Sequence, residues 1–226
     1  MRRGKFPGFQ GQNWNDRVSG TNTRHQATVW GAIEKATTGL EPGDTVAIVG
    51  IGGLGHLGVQ FAKAMGYQVV AVDTRPAGRQ LATEVANKEL LPDLVVDSTD
   101  TGEAATKIHE FTNGEGLSAA VVCTDSLAAN AWALTLLGIQ GVLVVLGLPP
   151  EGWKFDSEIM AFRELVIRGS YVADTESTER MMEVVERHDI RSHLTVVPFG
   201  EIPGIVDRYK DASFKGRLVV QIADEK

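Results

Sequence analysis

The chain has 226 residues, of which 43% are hydrophobic and 23% are charged. This composition excludes an intrinsically disordered protein, and the length is enough for one sizeable hydrophobic core. The formal net charge of -7 disfavours a nucleic-acid partner, because neutralising phosphates requires an excess of Lys and Arg on the binding surface.

The beginning of the chain differs in texture from the rest. Residues 1–25 are rich in Gly, Asn, Gln and Arg and show no apolar period, which predicts a tail or arm. From residue 26 onward apolar residues recur at helical spacing as far as Ala36, and the turn sequence Glu41-Pro42-Gly43-Asp44 follows. We therefore expect a tail over residues 1–25 and one folded domain over residues 26–226.

After this turn, short apolar runs alternate with helical patterns along most of the chain. Runs of Val, Ile and Leu suit strands that are buried on both faces, and intervening helices make such strands parallel. The sequence thus predicts an α/β fold with a doubly wound parallel sheet, a Rossmann fold, in a single domain. Predicted strands cover 45–49, 68–72, 94–96, 119–122, 142–146, 165–171, 194–197 and 217–222, and predicted helices cover 54–65, 77–86, 102–112, 126–137, 176–188 and 201–211.

The first of these strands leads directly into a glycine-rich turn. Residues 50–55 read Gly-Ile-Gly-Gly-Leu-Gly, the pattern G-x-G-x-x-G, and a helix is predicted after them. Here Gly50 permits a tight turn, Gly52 lets the backbone approach a pyrophosphate, and Gly55 lets the helix pack close to the strand. The helix N-terminus adds N–H groups and a positive dipole end. The pattern predicts a dinucleotide site; the alternative is a turn that is merely tight.

An acidic residue follows the second predicted strand. Asp73 has the spacing of an acid that hydrogen-bonds both ribose hydroxyls of the adenosine, although a helix N-cap or a solvated loop acid is the alternative. Its carboxylate would repel the phosphate that distinguishes NADP, so the sequence favours NAD over NADP. Arg75 and Arg79 follow Asp73 in the chain. They would either bind that phosphate or lie exposed to solvent in the loop and the first helical turn.

From about Ala27 to its end, the chain resembles the cofactor domain of zinc-type alcohol dehydrogenases of the medium-chain dehydrogenase/reductase superfamily. The stretches that carry the resemblance are residues 28–33, 50–58, 142–149, 164–171 and 215–217. The resemblance implies that the glycine-rich turn holds the pyrophosphate of the cofactor and that the next acid holds its ribose. The cofactor-binding residues assigned on this basis are Gly50, Gly52, Gly53, Leu54, Gly55, Asp73 and Arg75.

The same resemblance implies a rim on which the nicotinamide ring rests, formed where the fourth, fifth and sixth strands end. This position agrees with the rule that ligands bind at the carboxyl ends of the strands. For Cys123 the alternative is burial as a small apolar residue. The rim residues are Cys123, Thr124, Gly147, Leu148, Ser170 and Tyr171.

The chain also departs from the family. In the family an N-terminal domain supplies most of the zinc ligands and much of the substrate pocket, whereas residues 1–25 are all that precede the match. Arg24 occupies the position of the last catalytic zinc ligand, a cysteine, and Arg cannot ligate zinc. The histidines show no metal-ligand spacing, and we expect no metal site; they are His25, His56, His109, His188 and His193.

Two more side chains, His56 and Cys123, bear on the expected function. His56 opens the helix beside the predicted phosphate site, where a protonated imidazole would aid anion binding and a neutral one would pack against the turn. Cys123 is the single cysteine, so neither a disulfide framework nor a thiolate-bound structural zinc is expected. Without a signal peptide or an apolar run of membrane length, we expect a cytoplasmic protein with no membrane partner.

The function that these residues favour is NAD(H)-dependent hydride transfer to or from an alcohol or carbonyl substrate, in a truncated and zinc-independent protein. The alternatives are a non-redox NAD-binding module or pseudoenzyme, and a repurposed cyclase or isomerase that uses the emptied cleft. No catalytic residue is assigned. The resemblance places Trp153-Lys154-Phe155 on an edge strand that pairs across a two-fold axis, so we expect a homodimer.

Overall fold

The computed structural model describes residues 19–222, and the side chains of residues 24–222. Six parallel strands form the central sheet, in the order β3-β2-β1-β4-β5-β6. The order reverses between β1 and β4, which pair from Val46 with Ala119 to Val49 with Val122. The doubly wound α/β sheet that the sequence predicts is therefore confirmed. The strands are β1 (Thr45–Val49), β2 (Gln68–Asp73), β3 (Leu94–Asp97), β4 (Leu117–Val122), β5 (Leu137–Val145) and β6 (Val166–Gly169).

Helices cover both faces of the sheet, so alternate residues of one strand enter different cores. Ile48 packs in the core that contains Trp30 and Phe61, whereas its neighbours Ala47 and Val49 pack in the other core. This burial on both faces explains why β1 is a continuous apolar run. The helices are α1 (Ser19–Ala36), α2 (Gly55–Ala64), α3 (Pro76–Thr83), α4 (Thr101–Phe111), α5 (Leu127–Thr135), α6 (Ser157–Phe162), α7 (Thr175–His188) and α8 (Ile205–Lys210).

A small second sheet follows the main one. It consists of β7 (Leu194–Pro198) and β8 (Arg217–Gln221), which pair in parallel with each other. Between them lie a short 3-10 helix, Phe199–Gly204, and α8; another 3-10 helix covers Lys88–Leu90. Among the described residues, no helix combines the length and the apolar character needed to cross a membrane.

The structure differs from the expected boundaries at several places, among them the start of β5, which lies at Leu137 where residue 142 was expected. Helix α1 begins at Ser19, so the last part of the predicted tail is helical, while residues 1–18 of that tail lie outside the described residues. Residues 153–155, expected as an edge strand, carry no strand in the single chain, and β6 forms that edge of the sheet. Asp156 instead caps α6, because its carboxylate accepts hydrogen bonds from the N–H groups of Glu158 and Ile159.

Candidate functional site

A cavity of about 840 Å³ lies at the carboxyl ends of β1, β2 and β4. It therefore sits where the strand order reverses, the position at which doubly wound sheets bind ligands. A second cavity, of about 1140 Å³, lies near the amino ends of β4 and β5. We take the smaller cavity as the candidate site, since it contains the glycine-rich turn and the acid after β2.

The glycine-rich turn brings β1 and α2 unusually close together. Gly50 has a φ of +93°, a conformation that other residues rarely adopt, and its N–H donates to the Val72 carbonyl at 2.8 Å. A Cβ built on Gly55 would lie 2.1 Å from the Gly50 carbonyl oxygen. The first residue of α2 must therefore be glycine for the helix to approach the strand.

Gly52 leaves open space at the centre of the turn. A Cβ built on it would meet no atom closer than Nη2 of Arg75, at 4.0 Å, and the residue lines the cavity. Helix α2 starts just beyond, with Leu54 as its N-cap residue and no side-chain cap. An uncapped helix N-terminus beside an open glycine is a favourable position for a phosphate group.

Asp73 lines the same cavity next to the glycine-rich turn and is buried, with 6% of its surface exposed. Its Oδ2 accepts a hydrogen bond from the Ile51 N–H at 2.8 Å, and its Oδ1 accepts one from the Arg75 N–H at 2.8 Å. The alternative of a solvated loop acid is therefore wrong. The bond to the Arg75 N–H is a turn contact ahead of α3 and no helix cap, because Arg75 is itself the N-cap residue and the helix has no side-chain cap. The alternative of a helix N-cap is therefore wrong as well.

The two arginines after Asp73 have different partners. The guanidinium of Arg75 contacts both carboxylate oxygens of Asp73, with Nη2 at 3.1 Å from Oδ2 and Nε at 3.3 Å from Oδ1. Arg79 instead donates to the carbonyls of Asp73 and Thr74, at 3.1 and 2.8 Å, and forms an ion pair with Asp97 at 2.9 Å. Arg75 lines the cavity beside Asp73.

Arg217 is a cationic site residue to which the sequence analysis assigned no role. It begins β8, lines the cavity, and its Nε lies 3.4 Å from the Gly53 carbonyl oxygen. Burial lowers the pKa of its guanidinium, which still carries its charge at neutral pH. Residues 215–217 carry part of the family resemblance, which was the signal available for Arg217 in the sequence. Its contact with Gly53 depends on the three-dimensional fold and does not follow from the sequence. Ser98 and Tyr209 also line the cavity and were missed.

His56 is a packing residue. Its Nδ1 lies 2.8 Å from the Gly52 carbonyl oxygen, and its Nε2 accepts a hydrogen bond from the His193 N–H at 3.0 Å. Because Nε2 is the acceptor, the ring proton belongs on Nδ1 and donates to Gly52. Burial lowers the pKa of His56 from 6.5 to about 4. Of the two alternatives, a protonated imidazole that aids anion binding is therefore wrong.

The predicted nicotinamide rim is only partly assembled around this cavity. Cys123 and Thr124 line it, and Gly147 lies against Thr124, since a Cβ there would be 2.1 Å from the Thr124 carbonyl oxygen. The Leu148 N–H donates to Oδ1 of Asp125 at 2.7 Å, while the Leu148 side chain is 88% exposed.

Ser170 and Tyr171 are not among the residues that line this cavity. The Ser170 hydroxyl accepts a hydrogen bond from Nζ of Lys35 at 3.0 Å, and Tyr171 is exposed. For Cys123 the structure agrees with both alternatives, because the residue lines the cavity while it also packs against the core, where burial raises the thiol pKa to about 12. It is a small neutral group at pH 7.

Within the part of the chain whose side chains are described, no three His, Cys, Asp or Glu residues are grouped so as to hold a metal ion. Arg24, at the position where the resemblance expects a zinc-ligating cysteine, lies exposed on α1. A guanidinium has no lone pair to offer a metal.

The strand order and the cavity at its switch point define a doubly wound α/β protein with a cavity at the carboxyl ends of its strands. Residues 53–187 match the family model described as zinc-binding dehydrogenase. An alcohol dehydrogenase of Geobacillus stearothermophilus is 35% identical over 185 residues, which cover 82% of this chain and 52% of the relative. The chain belongs to the zinc-binding dehydrogenases, the alcohol-dehydrogenase-like family of the medium-chain dehydrogenase/reductase superfamily.

Solved structures support the same fold. The alcohol dehydrogenase of Aeropyrum pernix superposes with a TM-score of 0.76 at 28% identity, over 87% of this chain and 55% of that one. An acetophenone reductase of Geotrichum candidum, solved in complex with NAD, superposes with a TM-score of 0.76 at 24% identity, over 95% and 57%. The chain thus spans about half the length of the curated relatives that it matches.

Proposed function

We propose that this chain binds NAD(H) in the cavity between the glycine-rich turn and Asp73, as the cofactor-binding part of an alcohol-dehydrogenase-type oxidoreductase. One observation carries the proposal: the open space at Gly52 lies beside the uncapped N-terminus of α2 and shares one cavity with the buried carboxylate of Asp73. These are the two ends of a site for a pyrophosphate and its adenosine ribose.

The residues present fit such a cofactor. Backbone N–H groups of Gly52, Gly53, Leu54 and Gly55 would hold the pyrophosphate, where the turn of Gly50 leaves room, and Arg217 would add a positive charge from β8. The Asp73 carboxylate would accept hydrogen bonds from the hydroxyls of the ribose. Its negative charge supports binding of NAD(H) over NADP(H), because it would repel the additional phosphate of NADP(H). When bound, the nicotinamide supplies the hydride acceptor or donor.

The other end of the cofactor would extend toward the carboxyl ends of β4, β5 and β6. Cys123 and Thr124 would contact it first, because they line the cavity, with Gly147 and Leu148 beside them. Ser170 and Tyr171 would bound the nicotinamide end, where the substrate, an alcohol or a carbonyl compound, would meet the ring. The role of these chain groups is to position the ring and restrict water around it.

We further propose that this hydride transfer is zinc-independent, on the evidence of Arg24. The same residue favours a second candidate, an NAD-binding module without redox activity, because a zinc-type site cannot be completed by a guanidinium. A change in NADH absorbance on incubation with a panel of alcohols and carbonyl compounds separates the two candidates: the oxidoreductase produces it and the non-redox module does not.

The cofactor site is tested by filling it with a methyl group. In Gly52→Ala the new Cβ meets no protein atom closer than Nη2 of Arg75 at 4.0 Å, so the fold should tolerate it while the cofactor phosphates collide with it. We expect NAD(H) affinity, measured by calorimetry, to fall at least about tenfold, or roughly 1.4 kcal/mol, with an unchanged melting temperature. Gly200→Ala, also with nothing within 4 Å of its Cβ, is the matched control. Equal affinities in both variants would remove the proposed site.

The oligomeric state and the compartment stay predictions. We propose a homodimer formed through the free edge of the sheet, which β6 provides, with residues 153–155, which precede α6 in the chain, taking part in the contact. Edge strands with unpaired backbone groups favour such pairing. Light scattering at micromolar concentration measures the mass, and Trp153→Asp should convert a dimer that uses this edge into monomers. A monomeric wild-type chain contradicts the proposal.

We also propose a cytoplasmic location.

A further inference from the structure

The segment from β7 to β8 contributes an aromatic side chain to the candidate site. Tyr209 lies on α8 and lines the cavity, together with Gly216 and Arg217 from the same segment. Its side chain is half exposed, at 51%. Other exposed hydrophobic residues between the two strands do not line the cavity; they are Phe199, Ile202 and Val206. Tyr209 is therefore the exposed hydrophobic residue of this segment that a bound cofactor would meet.

Within the cavity, Tyr209 lies at the end that contains the glycine-rich turn. Its neighbours Gly216 and Arg217 press against this turn, since a Cβ built on Gly53 would be 3.1 Å from the Gly216 carbonyl oxygen and from Nε of Arg217. Burial lowers the pKa of the Arg217 guanidinium, and the phenol of Tyr209 acts on it electrostatically in the opposite direction. The phenol thus lies near the guanidinium that contacts the Gly53 carbonyl.

The ring of Tyr209 is supported by a second aromatic ring. Its centroid lies 4.9 Å from that of Phe214, with an angle of 49° between the two planes. A turn brings Phe214 back toward α8, because its N–H donates to the Asp211 carbonyl at 3.0 Å. Contacts between aromatic rings at such distances stabilise their arrangement. One part of the Tyr209 ring therefore packs against the protein, while the other half of the side chain stays accessible.

A phenol offers a dinucleotide two kinds of contact. Its ring stacks on a base, or its hydroxyl donates a hydrogen bond to a phosphate oxygen. The position of Tyr209 beside Arg217 and the glycine-rich turn favours the phosphate, because these groups would surround the pyrophosphate in the proposed site. A hydrogen bond to a charged oxygen is also stronger than one to a neutral acceptor.

We propose that Tyr209 is a cofactor-binding residue whose hydroxyl donates a hydrogen bond to the pyrophosphate and whose ring covers that group on the side of α8. This inference rests on the proposed function, since it concerns the same cofactor site. The glycine-rich turn supplies N–H groups from one side, and the segment from β7 to β8 supplies the phenol from another. Two segments that are distant in sequence thus hold the same pyrophosphate.

Calorimetric titration with NAD⁺ and with ADP-ribose, which carries the pyrophosphate but no nicotinamide, tests the assignment. Tyr209→Phe keeps the ring and removes the hydroxyl. The Kd of both ligands should rise about 5- to 20-fold in this variant, near the lower end of the range for hydrogen bonds to a charged group, because the phenol is half exposed. Tyr209→Leu removes the ring as well and should show at least the same rise.

Each variant has a matched control in the same chain. Tyr67→Phe removes the same hydroxyl from a buried residue that does not line the cavity. Phe199→Leu removes an exposed ring from the same segment, also outside the cavity. Both controls should leave the Kd of NAD⁺ within about twofold of the wild-type value.

The outcomes separate this inference from the proposed function. If the wild type binds NAD⁺ and Tyr209→Phe binds it equally well, the hydrogen bond is refuted and the cofactor site stands, whether or not Tyr209→Leu binds more weakly. A rise for NAD⁺ without one for ADP-ribose, or an equal rise in Tyr67→Phe, also refutes the assignment. If the wild type binds neither ligand, the proposed function and this inference both fail. Circular dichroism confirms that each variant is folded, and Tyr209→Phe alone decides if Tyr209→Leu is not.

Discussion

At the first turn of α2, the imidazole of His56 connects two parts of the chain that are distant in sequence. Its Nδ1–H donates to the Gly52 carbonyl, and its Nε2 accepts from the His193 N–H just before β7. The second sheet is thereby tied to the glycine-rich turn, and β8 carries Arg217 toward the same turn. A protonated ring would lose the acceptor at Nε2, so this connection requires the neutral form.

His56 should make the stability of the fold depend on pH. Its pKa in the folded chain is about 4, below the 6.5 of the unfolded chain, because burial disfavours the charged form. The unfolded chain therefore takes up the proton first as the pH falls. Stability contributed by the neutral ring is complete above pH 6.5 and is lost between pH 6.5 and about 4, by roughly 3 kcal/mol in total.

Urea unfolding at a series of pH values measures this loss. The wild type should lose stability in that interval, and His56→Gln should lose less, because the glutamine does not titrate. His109→Gln is the control, since it makes the same substitution at an exposed position on α4. Identical profiles for the wild type and His56→Gln would contradict the neutral, buried imidazole.

At the scale of elements, the cavity depends on how closely α2 approaches β1. The first residue of the helix lies against the Gly50 carbonyl, and Gly58, one turn on, leaves 3.0 Å between a built Cβ and a methyl group of Val29 on α1. Three elements therefore meet at glycine positions. The uncapped helix N-terminus reaches the cavity because of this approach, since a longer side chain at either position would push the helix outward.

Gly55→Ala should destabilise the fold, unlike Gly52→Ala in the same turn. Its Cβ would lie 2.1 Å from the Gly50 carbonyl oxygen, so the backbone has to shift. We expect a loss of about 1 to 3 kcal/mol in the free energy of unfolding, as for an overpacked core. Denaturant titration of the two variants and the wild type measures it. Equal stability of Gly55→Ala and the wild type would show that the helix does not lie this close to β1.

Elements with a strong local pattern were predictable from the sequence. β1 is buried along its whole length, so its apolar run identified it, and α2 followed from the glycine pattern before it. The start of α1 could not be predicted, because residues 19–25 carry no apolar period in the sequence. α6 has six residues, too few for a helical period to be recognised.

The candidate site, like the fold, was predictable only in part. Gly52 follows β1 and Asp73 ends β2, which are the two strands of one β-α-β unit, so their spacing along the chain was sufficient to bring them together in a prediction. Arg217 reaches Gly53 only through the pairing of β8 with β7, and an apolar strand pattern does not specify its partner. The ion pair of Arg75 with Asp73 likewise depends on a side-chain direction that spacing does not give.

At the scale of the whole molecule, the cofactor end of the site is built from buried groups and the opposite end is open. Asp73 and the glycine-rich turn are enclosed by β1, β2 and α2, whereas Leu148 is 88% exposed and Tyr171 is 80% exposed. The curated relatives are about twice as long as the part that this chain matches. Binding of the cofactor therefore depends on the enclosed end of the site, whereas turnover of a substrate depends on the exposed end.

We expect the 226-residue chain to bind NAD(H) but to oxidise ethanol very slowly, with far less than one zinc per chain. Removing hydride from an alcohol requires negative charge on its oxygen, which a metal or a base stabilises. Arg24 cannot ligate a metal, and the Cys123 thiol, with its pKa raised by burial to about 12, keeps its proton at pH 7 and is no base. A well-placed base alone contributes about 10²- to 10⁴-fold.

Metal analysis measures the zinc content, and NADH formation from ethanol measures the turnover. The Geobacillus stearothermophilus alcohol dehydrogenase is assayed in parallel. Turnover by this chain should fall below about 0.1 per second, a hundredth of the median of roughly 10 per second for enzymes. A second titration with NAD(H) on the same sample separates weak chemistry from weak binding, because the proposal requires the cofactor to bind while the alcohol is left unreacted. Turnover near the enzyme median, or about one zinc per chain, would mean that a complete catalytic site exists in this chain and that Arg24 does not exclude one.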